Sequence, residues 1–435
     1  MSQISRAKVH FIGIGGIGMS GIAELLHNMG ANVSGSDQAD NAQTQHLKQL
    51  GVKVFKGHLA EQVHEKDVVV YSSAVRPDNV EFAEALKLKI PLIGRAEALA
   101  EIMRLKRGIA LAGTHGKTTT TSFTAQIFLQ AEKDPTIVVG GRLDVIKSNA
   151  KLGSGEWLVA EADESDGSFL RLSPELAAIT NLDYDHLDFY GTKQSLEKGF
   201  REFADRIPFY GCLVACGDDE NLKRVLQEFR KPLVYYGFSE TNDFYLEGEN
   251  SKYKIFRGEE CLGEVNMPLP GRHNALNALA AMVVSYRAGI PFSVSIKAIE
   301  CFAGVDRRLQ HKGQISGVEY YDDYGHHPTE VRAVLSSLKE KHPHQKLHVV
   351  FQPHRFTRTR DCWDEFVSCF SDCDFLYLLD IYPAGEKPIE GIDSEKLFQE
   401  VQCSKKFHIN ELEPSKIVQT LLQYSNWESG DIVLT

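Results

Sequence analysis

Lys117 and Thr118 end the glycine turn of the segment Ile109-Ala-Leu-Ala-Gly-Thr-His-Gly-Lys-Thr-Thr-Thr-Thr121, where an apolar run enters that turn and a helix-compatible stretch follows from Ser122 to Ala131. A strand, turn and helix in this order present backbone N–H groups and a helix N-terminus to a polyphosphate. In such a turn the Lys117 ammonium meets the β- and γ-phosphates and the Thr118 hydroxyl ligates Mg²⁺. Position 111 is Leu, so the loop is the compact Gly113-Thr-His-Gly-Lys-Thr118 and not the longer G-x-x-x-x-G-K-[ST] form. The segment predicts ATP binding. A second glycine turn, Gly13-x-Gly15-x-x-Gly18, lies between an N-terminal strand and a helix from Ile22 to Met29, and Asp37 ends the next strand. A dinucleotide fold puts the acid for a ribose hydroxyl about there, so this turn alone suggests an NAD-dependent oxidoreductase. The same turn cradles any diphosphate. Two turns imply two phosphorylated ligands, and two readings stand: a dehydrogenase with an accessory ATPase, or an ATP-consuming enzyme acting on a diphosphate-linked substrate.

Other side chains of chemical interest end apolar runs. In Leu158-Val-Ala-Glu-Ala-Asp-Glu-Ser-Asp166 the acids follow a strand beside the phosphate loop, where a carboxylate can hold Mg²⁺. Glu161 is nearest the run and is the first candidate, with Asp163 next; a solvated acidic loop is the alternative. His186 has carboxylates on both sides in Thr180-Asn-Leu-Asp-Tyr-Asp-His-Leu-Asp188, at a strand end where open α/β sheets bind ligands. That favours a metal or phosphate role for it, with a surface or satisfied core histidine as the alternative. The His and Asn residues of Gly271-Arg-His-Asn-Ala-Leu-Asn277 either cap a helix or meet the edge of a purine. Tyr321-Asp-Asp-Tyr-Gly-His-His-Pro328 and Gln352-Pro-His-Arg-Phe-Thr-Arg-Thr-Arg360 also follow strands. Three arginines and a histidine in one short turn suit a bidentate grip on a carboxylate. The histidine pair has no third ligand at a standard spacing, so zinc is not expected.

These groups need a scaffold. At 435 residues the chain has room for about three domains, and 25% charged with 43% apolar residues is ordinary for a globular protein. A net charge of −11 with no basic block argues against nucleic acid. The N-terminus lacks the apolar core of a signal peptide, and no run reaches the roughly 20 apolar residues of a membrane span. Eight cysteines without a C-x-x-C pair read as reduced, mostly buried thiols, and the expected compartment is the cytoplasm. Residues 8 to about 106 alternate strands (Val9–Ile12, Asn32–Gly35, Val52–Lys56, Val68–Tyr71, Pro91–Ile93) with helices, which predicts a parallel sheet closed by the helix Arg95–Arg104. Lys106-Arg-Gly108 reads as a hinge. A second α/β unit starts at Ile109, with strands at Trp157–Glu161, Ala177–Thr180 and Leu213–Cys216, an antiparallel insertion near 243–267 and a helix from Asn274 to Ala288. A third pattern from about 313 has strands at Val318–Tyr321, Leu347–Phe351 and Phe375–Leu379, helices at Pro328–Lys339 and Asp364–Phe370, and a final strand, Asp431–Thr435.

Taken in order, Gly113-Thr-His-Gly-Lys-Thr-Thr119, Glu161, Asn181-x-x-x-Asp-His186, Gly271-Arg-His-Asn274, Gly304-Val-x-Arg-Arg308, Asp322-Asp-Tyr-Gly-His-His-Pro328 and Pro353-His-Arg-Phe-Thr-Arg358 resemble the Mur ligases of bacterial peptidoglycan synthesis. The resemblance implies an α/β protein of three domains: a Rossmann-like UDP-substrate domain (1–106), a central P-loop ATPase domain (107–312) and a Rossmann-like C-terminal ligase domain (313–435). The family carries a Gly-rich segment and a last helix after Val-Leu-Thr, so the third domain is expected to be cut short here. The implied reaction is ATP-dependent joining of L-alanine to UDP-N-acetylmuramate through an acyl phosphate, which removes the dehydrogenase reading. The implied roles are Gly113, Thr114, His115, Gly116, Lys117, Thr118 and Thr119 on ATP phosphates, with Lys117 on the transferred phosphoryl group. Thr118, Glu161 and His186 would hold Mg²⁺. His273 and Asn277 would meet adenine, and Arg307 or Arg308 with Asp322 or Asp323 would close on phosphate and ribose (Arg308 and Asp323 preferred). Gly15, Gly16, Gly18, Ser36, Asp37 and Ser72 would bind the UDP-sugar. Tyr324, His326, His354 and Arg358 would surround alanine and the lactyl carboxylate, with His354 and Arg358 counted as catalytic alongside Lys117 and His186. The partners expected are these small molecules, with no nucleic acid and no membrane insertion. A recycling ligase that attaches a peptide to the same sugar nucleotide, or a nucleotide-binding regulator without ligase chemistry, are the alternatives.

Overall fold

The computed structural model describes residues 3–72, 74–143, 145–146, 148–305, 307–411, 413–424 and 427–435; Asp306, inside one quoted motif, lies outside them. Three sheets follow one another along the chain. The first holds β1 (Lys8–Ile12), β2 (Asn32–Asp37), β3 (Lys53–Lys56), β4 (Val68–Tyr71) and β5 (Leu92–Gly94), all parallel, in the order β3-β2-β1-β4-β5. The strand order reverses at β1, and the first glycine turn leaves β1 there, at the crevice where doubly wound sheets bind ligands. Its helix begins at Ile17, five residues before the Ile22 expected, because Gly18 and Gly21 already lie in the first turns.

The second sheet has ten strands: β6 (Arg107–Ala112), β7 (Thr136–Leu143), β8 (Ser148–Lys151), β9 (Trp157–Glu161), β10 (Leu176–Ile179), β11 (Cys212–Cys216), β12 (Leu233–Gly237), β13 (Phe244–Glu249), β14 (Lys252–Arg257) and β15 (Glu260–Asn266). Their order is β15-β14-β13-β12-β11-β10-β6-β9-β7-β8, parallel from β7 to β13. The antiparallel insertion is the β13–β14–β15 meander. Again the central strand, β6, stands where the order reverses, and the phosphate loop leaves its C-terminal end. Arg107 and Gly108 are strand residues and not a hinge, and Lys106 donates to the carbonyls of Gly153 and Gly155 at 2.8 and 2.5 Å.

The phosphate-loop helix runs Lys117–Gln130, starting five residues before the Ser122 expected. Four successive threonines are poor helix formers, but here hydroxyls bond back one turn: Thr121 to the Lys117 carbonyl, Ser122 to Thr118 and Thr124 to Thr120, at 2.7–2.8 Å. This lets a polar helix start sit buried beside the sheet.

The third sheet takes β16 (Gln310–Ile315), β17 (Val318–Asp322), β18 (Leu347–Phe351), β19 (Phe375–Leu379), β20 (Lys405–Ile409) and β21 (Ile432–Leu434) in the order β16-β17-β21-β18-β19-β20, parallel except for the β16–β17 hairpin. The final strand therefore sits inside the sheet.

The seams between sheets differ in kind. The first two share one apolar core, and the helix Ile17–Asn28 lies against the β7–β8 hairpin. Gly21 permits that approach, since a Cβ there would meet Ala150 Cβ at 3.1 Å. The third sheet has its own cores, and polar side chains from it reach the central domain. No helix among the described residues is long and apolar enough to cross a membrane.

Candidate active site

The phosphate loop is shaped by two glycines and tied to the end of β10. Gly113 has φ +133° and Gly116 φ +81°; a Cβ on the first would strike Thr180 Oγ1 and on the second Asn277 Oδ1. The side chain of Asn181 clasps His115, with its Oδ1 accepting from His115 N at 2.8 Å and its Nδ2 donating to His115 O at 3.0 Å. Thr114 Oγ1 donates to Asp183 O at 3.1 Å. The Asn181-to-His186 motif thus fixes the loop before it offers anything to a ligand.

Lys117 Nζ donates to Gly113 O (2.8 Å), Thr114 O (2.9 Å) and Glu164 Oε1 (2.8 Å). Burial opposes its charge, but Glu164, with Asp163 and Glu161 behind it, outweighs that and holds the ammonium above its ordinary value. Glu164 is 1% exposed, and burial pushes it up to about 7 against the pull of Lys117. Sequence reasoning chose Glu161 and Asp163 from this acidic run and passed over Glu164.

The expected Mg²⁺ ligands converge in part. Thr118 Oγ1 donates to Glu161 Oε1 at 3.1 Å, and Glu161 Oε2 accepts from Gly140 N at 2.8 Å. A hydroxyl and a carboxylate beside a phosphate loop fit a hard cation that keeps several waters. His186 stands nearer Asp185 (3.5 Å) and Glu164 (3.8 Å); burial pulls its pKa down, which keeps the imidazole neutral and able to ligate. A different group of ligand type occurs at the seam: one atom each of His115, Asp183 and His327 lie within 4.8 Å of one another. It works as a hydrogen-bonded clasp. Burial opposes a charge on His115, but bonds to Asp183 Oδ2 (3.1 Å) and Glu330 Oε1 (3.3 Å) raise it to about 9.

The third domain brings its residues to the same place. Thr329 Oγ1 donates to Asp183 Oδ2 at 2.8 Å. Arg358, 8% exposed, sits 3.3 Å from Asp185 Oδ2 and 3.3 Å from His354 Nδ1. It lies on the helix Phe356–Asp361 and not in an open turn. His326 and His354 have ring centroids 6.1 Å apart, and burial pushes His326 down to about 4. Tyr324 is half-exposed. Asp323 accepts from Leu309 N and Gly325 N at 2.6 and 2.7 Å, and burial lifts it to about 6 against the pull of Arg308, whose guanidinium lies over the Tyr324 ring. These bonds brace the turn after β17. His273 and Asn277 share one face of the helix Arg272–Arg287; burial pushes His273 down to about 4, and Asn277 borders Gly116.

In the first domain Asp37 Oδ2 accepts from Gly15 N at 2.8 Å and its Oδ1 from Ala39 N at 2.9 Å, so the carboxylate braces the turn. Ser36 is fully buried, and its hydroxyl donates to Glu81 Oε2 at 2.5 Å. Ser72 borders Gly13. A residue that sequence reasoning missed, Arg95, reaches the turn: a Cβ on Gly18 would lie 3.1 Å from Arg95 Nη1. Its Nη2 is 3.6 Å from Asp163. Arg95, Arg171, Arg206 and Tyr190 line a cleft of about 490 Å³ between the first and second domains. The Tyr190 hydroxyl donates to Glu164 O at 2.6 Å, joining the cleft to the phosphate loop. The only sequence signal for Arg95 was its place directly after a strand.

Family models match nearly the whole chain: the Mur ligase family catalytic domain over residues 8–107, the Mur ligase middle domain over 111–285, and the Mur ligase glutamate ligase domain over 307–435. The chain is 57% identical over 406 residues to a UDP-N-acetylmuramate–L-alanine ligase of Bdellovibrio bacteriovorus, covering 92% of this chain and 90% of that one. A UDP-N-acetylmuramate–alanine ligase from Thermotoga maritima superposes with a TM-score of 0.81 at 27% identity, over 99% of this chain and 95% of that one. A murein peptide ligase from Psychrobacter arcticus shares the fold at a TM-score of 0.74 and 22% identity, over 98% and 95%.

Proposed function

The chain belongs to the Mur ligase family, and we propose that it joins L-alanine to UDP-N-acetylmuramate with cleavage of ATP to ADP and phosphate. The observation that carries this reading is the meeting of Lys117, buried and charged in a phosphate loop, with the His326–His354–Arg358 cluster of the third domain at one seam. A carboxylate does not acylate an amine in water because its oxygen leaves poorly. Transfer of the γ-phosphoryl group to the lactyl carboxylate gives an acyl phosphate. The alanine amine attacks that carbon, and the tetrahedral intermediate expels phosphate.

The chain's own part is positioning and charge. Lys117 exchanges Glu164 for the γ-phosphate. Arg358, freed from Asp185, grips a carboxylate with two N–H groups. Thr118, Glu161 and His186 would hold Mg²⁺, which when bound neutralises phosphate charge. The cleft beside Arg95 takes the UDP-sugar, and the cytoplasm, where these substrates occur, is the compartment. Domains 1–106, 107–312 and 313–435 divide the work into sugar nucleotide, ATP and acceptor. Seam closure keeps water from the acyl phosphate.

L-alanine is favoured as acceptor over a peptide by the 57% identity to the Bdellovibrio ligase. Phosphate release with UDP-N-acetylmuramate and a panel of amino acids and tripeptides tests it. Turnover with L-alanine is expected; turnover only with a tripeptide would make the chain a recycling ligase, and none with any acceptor would refute ligation.

A further inference from the structure

We propose that Cys373 and Cys403 form a dithiol that closes to a disulfide when a hydroperoxide reaches it. Cys373 lies two residues before β19 and Cys403 two before β20, and these strands pair in parallel with Phe375 opposite Lys405. Carried back two places, the register sets the cysteines side by side, and their sulfurs are 3.3 Å apart. No other two cysteines share a sulfur–sulfur contact among the described residues. Cys373 is buried and Cys403 partly exposed, so an oxidant meets Cys403 first. The neighbouring thiol, as hydrogen-bond donor, lowers the pKa of Cys403 and so favours its thiolate, the form that attacks a peroxide.

The step balances. The Cys403 thiolate attacks the peroxide: an S–O bond forms, the O–O bond breaks, and the departing oxygen takes a proton and leaves as an alcohol or water. Cys373 then gives up its proton and attacks the sulfenic sulfur. The S–S bond forms, the S–O bond breaks, and that oxygen leaves with the proton as water. Two thiols lose two electrons and the peroxide gains them. Closing from 3.3 Å to a bond of about 2.05 Å needs only small side-chain rotations. The bond staples the edge strand β20 to β19 at their N-terminal ends. The ligand-facing residues follow the C-terminal ends of β17 and β18, so the staple leaves the chemistry untouched.

The test uses the full chain treated with hydrogen peroxide, then denatured, alkylated without reductant and mapped by mass. The expected result is a cross-link between the peptides of Cys373 and Cys403, reversed by a thiol reductant. Amide exchange of Lys405–Ile409 should slow in the oxidised form, with ligation unchanged. Cys373→Ser should abolish the link and let Cys403 proceed to the sulfinic acid. Cys403 oxidised while wild-type Cys373 stays open to alkylation would overturn the proposal. So would oxidation of the exposed, unpaired Cys261 and Cys301 as fast as Cys403.

Discussion

The clasp of His115 between Asp183 and Glu330 makes the stability of the chain depend on pH in a direction that can be worked out. Asp183 belongs to the central domain and Glu330 to the helix Pro328–Lys341 of the third, so His115 links the two. The imidazole is raised from 6.5 to about 9, and that interval is worth roughly 3 kcal/mol. For a raised histidine the stabilisation is complete below pH 6.5, declines between 6.5 and about 9, and is gone above. The depressed pKa values of Asp183 and Glu330 express the His115 contacts again, from the acid side, together with contacts of their own to Thr329 and Arg308, and act only at acidic pH, outside this interval. At about 2–4 °C per kcal/mol for units of this size, wild type should lose on the order of 6–12 °C in Tm across the interval. The double variant His115→Asn, Glu330→Gln removes the titrating ring together with one of the two carboxylates it leaves behind. Scanning calorimetry of both proteins at several pH values gives the slopes. The variant should melt lower at neutral pH and its Tm should fall much less with rising pH. Parallel slopes would refute the assignment of this charge to the clasp.

Further expectations are local. Lys117→Ala should cut phosphate release at least about 10²-fold with the fold intact by circular dichroism, because it removes the charge proposed to meet the γ-phosphate; near wild-type release would defeat the site. Arg358→Lys should raise KM for L-alanine far more than KM for ATP, since a point charge cannot repeat a two-pronged grip; equal changes would mean that the acceptor site lies elsewhere. Gly116→Ala should lose ATP binding in calorimetry and melt lower, because a left-handed residue costs about 1–2 kcal/mol and its methyl displaces Asn277. Arg95→Ala should weaken UDP-N-acetylmuramate binding and leave ATP affinity unchanged; an equal loss of both would move Arg95 from the cleft to a structural role.

What could be read from the sequence follows from how local each constraint is. The phosphate loop is legible because backbone N–H groups can surround a phosphate only with glycines at fixed positions, as Gly113 and Gly116 show through their φ of +133° and +81°. Glu161 is legible as the first acid after an apolar run. Glu164 is not: counting from the run cannot tell which acid turns back toward a lysine on another strand's loop, and that depends on β9 lying beside β6. Arg95 is invisible for a similar reason, since its meaning arises only where two domains meet. The final strand is legible as a strand, but its insertion between β17 and β18 is a pairing between residues far apart in sequence. The presumed hinge at Lys106–Gly108 failed because a lone glycine after two basic residues looks like a break, whereas Gly108 sits in β6 with Met103 packed close above it.

A chain of net charge −11 that must gather phosphates and carboxylates does so with cations that already carry acids. Lys117 holds Glu164 at 2.8 Å, Arg358 holds Asp185 at 3.3 Å, Arg355 lies 3.5 Å from Asp188, and Arg95 lies 3.6 Å from Asp163. Binding an anion at such a cation is an exchange: one carboxylate leaves and one ligand oxygen arrives, so only the difference between them drives association. A ligand bearing a single weak charge gains little by that exchange. A polyphosphate, or a carboxylate met by two N–H groups, gains enough to displace the resident acid. Two of these pairs, Arg358–Asp185 and Arg355–Asp188, also span the seam between the second and third domains. Ligands that break them must supply replacement contacts across the same gap, so an acceptor bound there as proposed would couple its site to the arrangement of the domains.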